Sequence, residues 1–196
     1  MEIYKSEFNR AYIEATKMLV QSGIGRFPFS IAKPLRDCSD ITLHTFGWAE
    51  RHGIPRPVFG SSIAELHESC GRFTIFYDDT TDLPQTRFAI AREWGRYELM
   101  HDLSADATEK NREKYEAEAN LFAAQLLIPG QVVAEIEARG HTVDEAFLQA
   151  AFGVSPEAAK TRLVTKAIYP DYVRSNEARS FDSEMVRICG DFIANF

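Results

Sequence analysis

The sequence predicts an α+β fold that is mostly helical, with a small antiparallel sheet and further helices towards the C-terminus. Arg72–Tyr77 (RFTIFY) is dense in the aromatic and β-branched residues that strands favour. Apolar residues recur at helical spacing both before and after this segment. The resulting order of helices, a few strands and then many helices is typical of α+β proteins.

Composition narrows the class of protein. The 196 residues suffice for one domain with a core, or one domain and a small appendage. No apolar run reaches the roughly 18 to 20 residues that span a bilayer, and the first residues lack a secretory pattern, so we expect a cytoplasmic protein without a membrane partner. Three cysteines are too few for a disulfide framework, and a net charge of −7 argues against broad binding to nucleic acid.

The N-terminal half contains the predicted sheet. Residues 6–21 form an amphipathic helix in this interpretation, because Phe8, Tyr12, Ala15 and Leu19 recur at helical spacing. Gly71 suggests a hairpin between Arg72–Tyr77 and a preceding strand. The other elements expected here are a helix over 30–36, a strand over 41–46, a loop over 53–62 and a strand near Leu66.

Helices dominate after Asp82, which can cap a helix together with Gln85. That helix is predicted to reach about residue 101, and a second to cover 112–127 and stop at Pro129. Thr142 opens a capping box, and the last expected helix covers 182–193. We divide the chain into a body, 1–130, and a packed helical extension, 131–196.

Four charged residues are predicted to cluster on the first two of these helices. Arg92 and Arg96 lie four residues apart and share a helix face, and Glu93 can reach Arg96. Glu116 lies near the start of the second helix, so packing of the two helices would bring it to the same place. Charges of this kind are usually a solvated surface, and spacing alone does not assign them a role.

Two blocks of sequence carry a resemblance to a known family. RFAIAREWGRYELMH and EAEANLFAAQLLIP resemble the frames RFTIAHELGHxxLxH and ExEANxFAAxLLxP of the ImmA/IrrE family of zinc metallo-endopeptidases. Both blocks occur in order and at a plausible spacing, and the similarity covers roughly residues 5–168. The resemblance implies a zincin-like minimal peptidase domain over 1–130, in which two histidines of an HExxH motif and a carboxylate bind zinc.

In this sequence the motif is degenerate. The resemblance places Arg92 and Arg96 where the zinc histidines would be, Glu93 at the general-base position and Glu116 at the third ligand. An arginine has five N–H donors and no lone pair for a metal. We therefore expect no metal and no cofactor, although the family uses zinc, and we expect the arginines to pair with Glu93 and Glu116. His101 is interpreted as a hydrogen-bonded structural histidine.

These residues favour a catalytically inactive pseudopeptidase that binds a protein, with a helix-turn-helix regulator as the partner that the family implies. The family's association with stress, phage and mobile-element regulation points the same way. One alternative is an enzyme of altered chemistry in which Arg92 and Arg96 hold an anion beside Glu93; another is residual metallopeptidase activity. A third hypothesis is DNA binding by a helix-turn-helix-like segment over 143–166, with Lys160, Arg162 and Lys166 as its cations.

Overall fold

The computed structural model describes residues 5–38, 40–103, 108–168 and 176–196. Within these ranges no single helix is long and apolar enough to cross a membrane, although the helices Glu109–Leu127 and Gly130–Ala138 together, across a 45° bend, meet the same criteria. The elements are α1 (Lys5–Gln21), α2 (Ala32–Cys38), β1 (Ile41–Thr45), α3 (Phe46–Arg51), β2 (Ala64–Ser69), β3 (Arg72–Tyr77), α4 (Leu83–Glu98), α5 (Glu109–Leu127), α6 (Gly130–Ala138), α7 (Glu145–Phe152), α8 (Pro156–Ile168), α9 (Asn176–Ile188) and α10 (Gly190–Ile193). The predicted mostly helical α+β class is confirmed.

The sheet has three strands in the order β1-β3-β2. β2 and β3 form the expected antiparallel hairpin, whose turn places Cys70 and Gly71 at φ values of 52° and 72°. β1 pairs with β3 in parallel, so the prediction of a wholly antiparallel sheet is wrong for this strand. The reason is the connection: α3, a short 3-10 helix and β2 lie between β1 and β3, which is long enough to return the chain to the same end.

Helices α4 and α5 pack closely because a glycine lies at their contact. A Cβ atom on Gly95 would lie 2.9 Å from Phe122, so the aromatic ring fits only against a glycine. Trp94 and Phe122 are fully buried, with ring centroids 6.2 Å apart. This approach brings the exposed faces of α4 and α5 side by side.

The C-terminal helices share the core of the body. One hydrophobic cluster includes Leu19 and Leu126 together with Leu148, Phe152 and Met185. The boundary at residue 130 stays a prediction, because a shared core neither requires nor excludes it.

A buried polar network connects α1, α5, α6 and α8. Gln125 donates to Thr16 and Gln131 at 3.0 and 2.7 Å, and its Oε1 accepts from Arg162 at 2.7 Å. Burial lowers the pKa of Arg162 to about 10, which still leaves the guanidinium charged at neutral pH. Since an isolated buried charge is costly, these hydrogen bonds are needed to keep Arg162 inside.

Several helix boundaries differ from their predictions. α4 ends at Glu98 rather than near residue 101, and the chain turns at Met100 with φ of 50°. Thr142 does not open α7; the side chain of Asp144 accepts from the Phe147 amide at 2.8 Å instead. The predicted last helix is two helices, α9 and α10, divided at Cys189.

The predicted helix cap at Asp82 is confirmed: its side chain accepts from the Gln85 amide at 3.0 Å. In the structure Gly153 ends α7 in the left-handed conformation, and Ser155 caps α8. Helices α3 and α6 were not predicted, and α6 begins directly after Pro129, which ends α5.

We expect Gly95→Ala to lower the free energy of unfolding by about 1–3 kcal/mol, because the new methyl group overpacks the contact with Phe122. Gly190→Ala is the matched control, since nothing lies within 4 Å of its Cβ position in α10. Urea denaturation measures both. Equal stabilities of Gly95→Ala and the unaltered chain would show that the two helices need no glycine at this contact.

Candidate functional site

The arginine–glutamate cluster, formed by Arg92, Glu93, Arg96 and Glu116, lies where α4 faces α5 and β2. The predicted helix spacing is observed: Arg92 and Arg96 occupy one face of α4, one turn apart. Glu93 points towards the interior and is 5% exposed. Glu116 reaches the same place from α5. The structure therefore brings together all four charged residues that the sequence singled out.

Each arginine pairs with both carboxylates. Arg92 donates to Oε1 of Glu93 through Nε at 3.2 Å and Nη2 at 3.1 Å, and through Nη1 to Glu116 at 3.2 Å. Arg96 donates through Nη2 to the other oxygen of Glu116, and its Nε lies 3.6 Å from Glu93. Glu116 thus bridges the two guanidiniums, which is the pairing that charge and geometry favour.

Glu93 also connects α4 to the edge strand of the sheet. Its Oε2 accepts from the backbone N–H of Leu66 in β2 at 3.1 Å. Burial raises the pKa of the Glu93 carboxyl, and the positive charges of Arg96 and Arg92 oppose that rise. We interpret the carboxylate as ionised at neutral pH, because the Arg92 guanidinium and a backbone amide donate to it and the Arg96 guanidinium lies within ion-pair distance.

The outer side of the cluster is open to solvent. The side chains of Arg92, Arg96 and Glu116 are 29%, 26% and 39% exposed. They line a groove of about 560 Å³ that β2 borders on one side and the first turns of α5 on the other. Groups at this site can therefore meet a molecule that enters the groove.

The residues present do not fit a zinc ion. Arg92 and Arg96, which the resemblance aligns with the two histidine ligands, offer N–H donors only. No group of three or more histidine, cysteine or acidic side chains in the described ranges is arranged to hold a metal. Two fixed positive charges also repel a cation, so the chemistry of these residues supplies neither the ligands nor the electrostatics that zinc needs.

His101 has the structural role predicted for it. Its Nε2 lies 2.7 Å from a carboxylate oxygen of Glu118, and its ring stacks on Tyr115 with centroids 4.4 Å apart. Burial, reinforced by Arg96 and other cations, lowers its pKa to about 3. The imidazole is therefore neutral, and Nε2 donates its proton to Glu118.

Two alternatives lose support from this geometry. An anion site beside Glu93 requires free guanidiniums, whereas both are bound to carboxylates. The DNA-binding hypothesis requires Arg162 to contact phosphates, whereas its side chain is buried and hydrogen-bonded to Gln125. Of the remaining cations, Lys160 is exposed, and the side chain of Lys166 lies outside the described residues.

Some groups at the site were not found from the sequence. The amide of Leu66 has no side-chain signature, and only the position of the hairpin could have suggested it. Glu65, Glu109 and Glu113 line the same groove. Glu65 lies on β2 and the other two lie one turn apart on α5, so nothing in the sequence connects them or distinguishes them from ordinary surface charges.

Comparison with known proteins agrees with this geometry. The family model described as the IrrE N-terminal-like domain matches residues 50–164, which is more than half of the chain and contains β2, β3, α4 and α5. No curated protein matches the chain. The match supports the resemblance drawn from the two sequence blocks. On this ground the chain belongs to the ImmA/IrrE family and contains its metallopeptidase-like domain.

Proposed function

We propose that the chain is a catalytically inactive ImmA/IrrE-like pseudopeptidase that acts as a protein-binding, regulatory module. One observation carries this proposal: Arg92 and Arg96, which the resemblance aligns with the zinc histidines, are ion-paired with Glu93 and Glu116. These pairs take up the carboxylates that would serve as general base and third ligand.

Loss of the metal removes the chemistry. In a peptidase of this type zinc lowers the pKa of a bound water, and the glutamate accepts its proton. Glu93 is retained, but one of its oxygens accepts from Arg92 and the other from Leu66. Both oxygens thus already accept hydrogen bonds, and without zinc there is no activated water for Glu93 to deprotonate.

The charges at this site balance without a metal ion, which explains how the fold can be kept when zinc is absent. Two neutral histidines, a divalent cation and two carboxylates sum to zero, and so do two arginines and two carboxylates. The cluster can thus connect α4, α5 and β2 without leaving an unpaired charge. What survives is a groove beside an intact scaffold, which suits binding better than cleavage.

The partner that we propose is a protein, and the family suggests a helix-turn-helix regulator in a stress, phage or mobile-element system. We place this activity in the cytoplasm. Direct DNA binding is not part of the proposal, because the chain carries a net charge of −7 and Arg162 is not available to a phosphate.

The double variant Arg92→His/Arg96→His should gain about one equivalent of zinc per chain, because it restores two lone-pair donors beside Glu116. The unaltered protein should retain none after dialysis. Elemental analysis by mass spectrometry measures both. Adding Glu116→Ala to the double variant is the control, and it should lower the zinc content again. Zinc bound by the unaltered chain and lost on Glu116→Ala would contradict the proposal.

Glu116→Ala alone should lower the free energy of unfolding by about 1–2 kcal/mol, since it leaves two half-buried guanidiniums with one carboxylate between them. Glu113→Ala on the same helix is the control, because it brings the same gain in helix propensity at an exposed position. Chemical denaturation compares the two. If both variants are equally stable, the cluster does not hold the helices together.

A further inference from the structure

The groove of about 560 Å³ adjoins a further cavity at the arginine–glutamate cluster, and the two cavities together form one extended groove. The first, of about 740 Å³, lies between α4, α5 and the start of α8. The second, of about 560 Å³, lies between β2, α4 and the beginning of α5. Both are lined by Ser62 and Arg92, so an extended chain could pass from one to the other.

The first cavity is nearly uncharged. Phe88, Leu121 and Ile63 give it an apolar wall that continues from the hydrophobic core. Among the described residues that line it, Glu157 is the single charged one apart from Arg92, which is already paired. A segment that occupies this cavity gains most by burying apolar side chains.

The second cavity is acidic. The cluster itself sums to zero charge, and beyond it the described residues of the lining include four carboxylates, those of Glu65, Asp102, Glu109 and Glu113, against one guanidinium, that of Arg112. These described residues carry a surplus of three negative charges. This wall repels phosphates and carboxylates and attracts ammonium and guanidinium groups.

His101 adds an independent acceptor at this end. It lines a third cavity, of about 940 Å³, which shares Glu65 and Asp102 with the second. The His101 side chain is 1% exposed, and its Nδ1 has no hydrogen-bond partner in the described part of the chain. Because Nε2 donates to Glu118, Nδ1 of the neutral ring is a hydrogen-bond acceptor, and it needs a donor group as its partner.

We infer that the groove binds an extended segment of a partner protein whose apolar side chains fill the cavity at Phe88 and Leu121 and whose lysine or arginine side chains lie against Glu65, Glu109 and Glu113. The arginine–glutamate cluster, whose charges sum to zero, lies where the apolar part of the bound partner segment meets its cationic part. This inference rests on the proposed protein-binding function and specifies the chemistry of the bound partner.

A phage-displayed library of random peptides of about twelve residues, a length sufficient to span the groove, tests the inference. The full-length protein serves as bait. We expect the selected peptides to be enriched in lysine and arginine on one side of an apolar stretch and depleted in aspartate and glutamate. Fluorescence anisotropy of a labelled selected peptide then gives its Kd.

Glu113→Lys should weaken binding of that peptide about tenfold, since a like charge then faces its cationic half. Glu50→Lys, an exposed substitution of the same charge change on α3, is the matched control and should leave the Kd unchanged. Serine in place of the peptide's apolar residues should weaken binding to all three proteins alike. Thermal melts confirm that both variants are folded.

The possible results separate the inference from the function on which it rests. Cationic peptides that Glu113→Lys weakens and Glu50→Lys does not would support it. Peptides that bind in the groove without charge preference, or with acidic residues, would overturn it and leave a protein-binding role intact. If no peptide is enriched, both the inference and the proposed protein-binding function fail.

Discussion

The balance of charge between α4 and α5 is the constraint on which the site depends. Close packing at Gly95 brings Arg92 and Arg96 opposite Glu116, and at that distance unpaired charges of either sign would be costly. Two cations and two anions satisfy the constraint without any bound ion. The ion-paired arrangement therefore satisfies the charge requirement of this helix contact by itself.

The same pairing changes what the retained glutamate does. Glu93 holds the amide of Leu66 with one oxygen and Arg92 with the other, so it joins the edge strand to the helix beneath it. Desolvation raises the pKa of its carboxyl, and the nearby guanidiniums offset part of that cost. In the proposed inactive chain, the residue at the general-base position is therefore a structural link between α4 and β2.

Much of this could be predicted from local patterns. The strand Arg72–Tyr77, the Asp82 cap and the grouping of the four charged residues follow from composition and spacing, which report local structure directly. The parallel pairing of β1 was not predictable in this way, because it depends on how a long connection folds back. The acidic wall was missed for a similar reason: Glu65 and Glu113 line the same groove only because β2 and α5 both pack against α4. Arg162 was misjudged as a surface cation, since its helix gives no sign of which side the body covers.

The network around Gln125 also bears on how the chain could be shortened. A polypeptide that stopped at Pro129 would lack Gln131 and Arg162, and of the three hydrogen bonds between the Gln125 amide and other side chains it would keep only the one to Thr16. It would also lack Leu148, Phe152 and Met185, which the later helices contribute to the core cluster. Shortening the chain at this point would therefore remove both polar and apolar contacts of the peptidase-like segment.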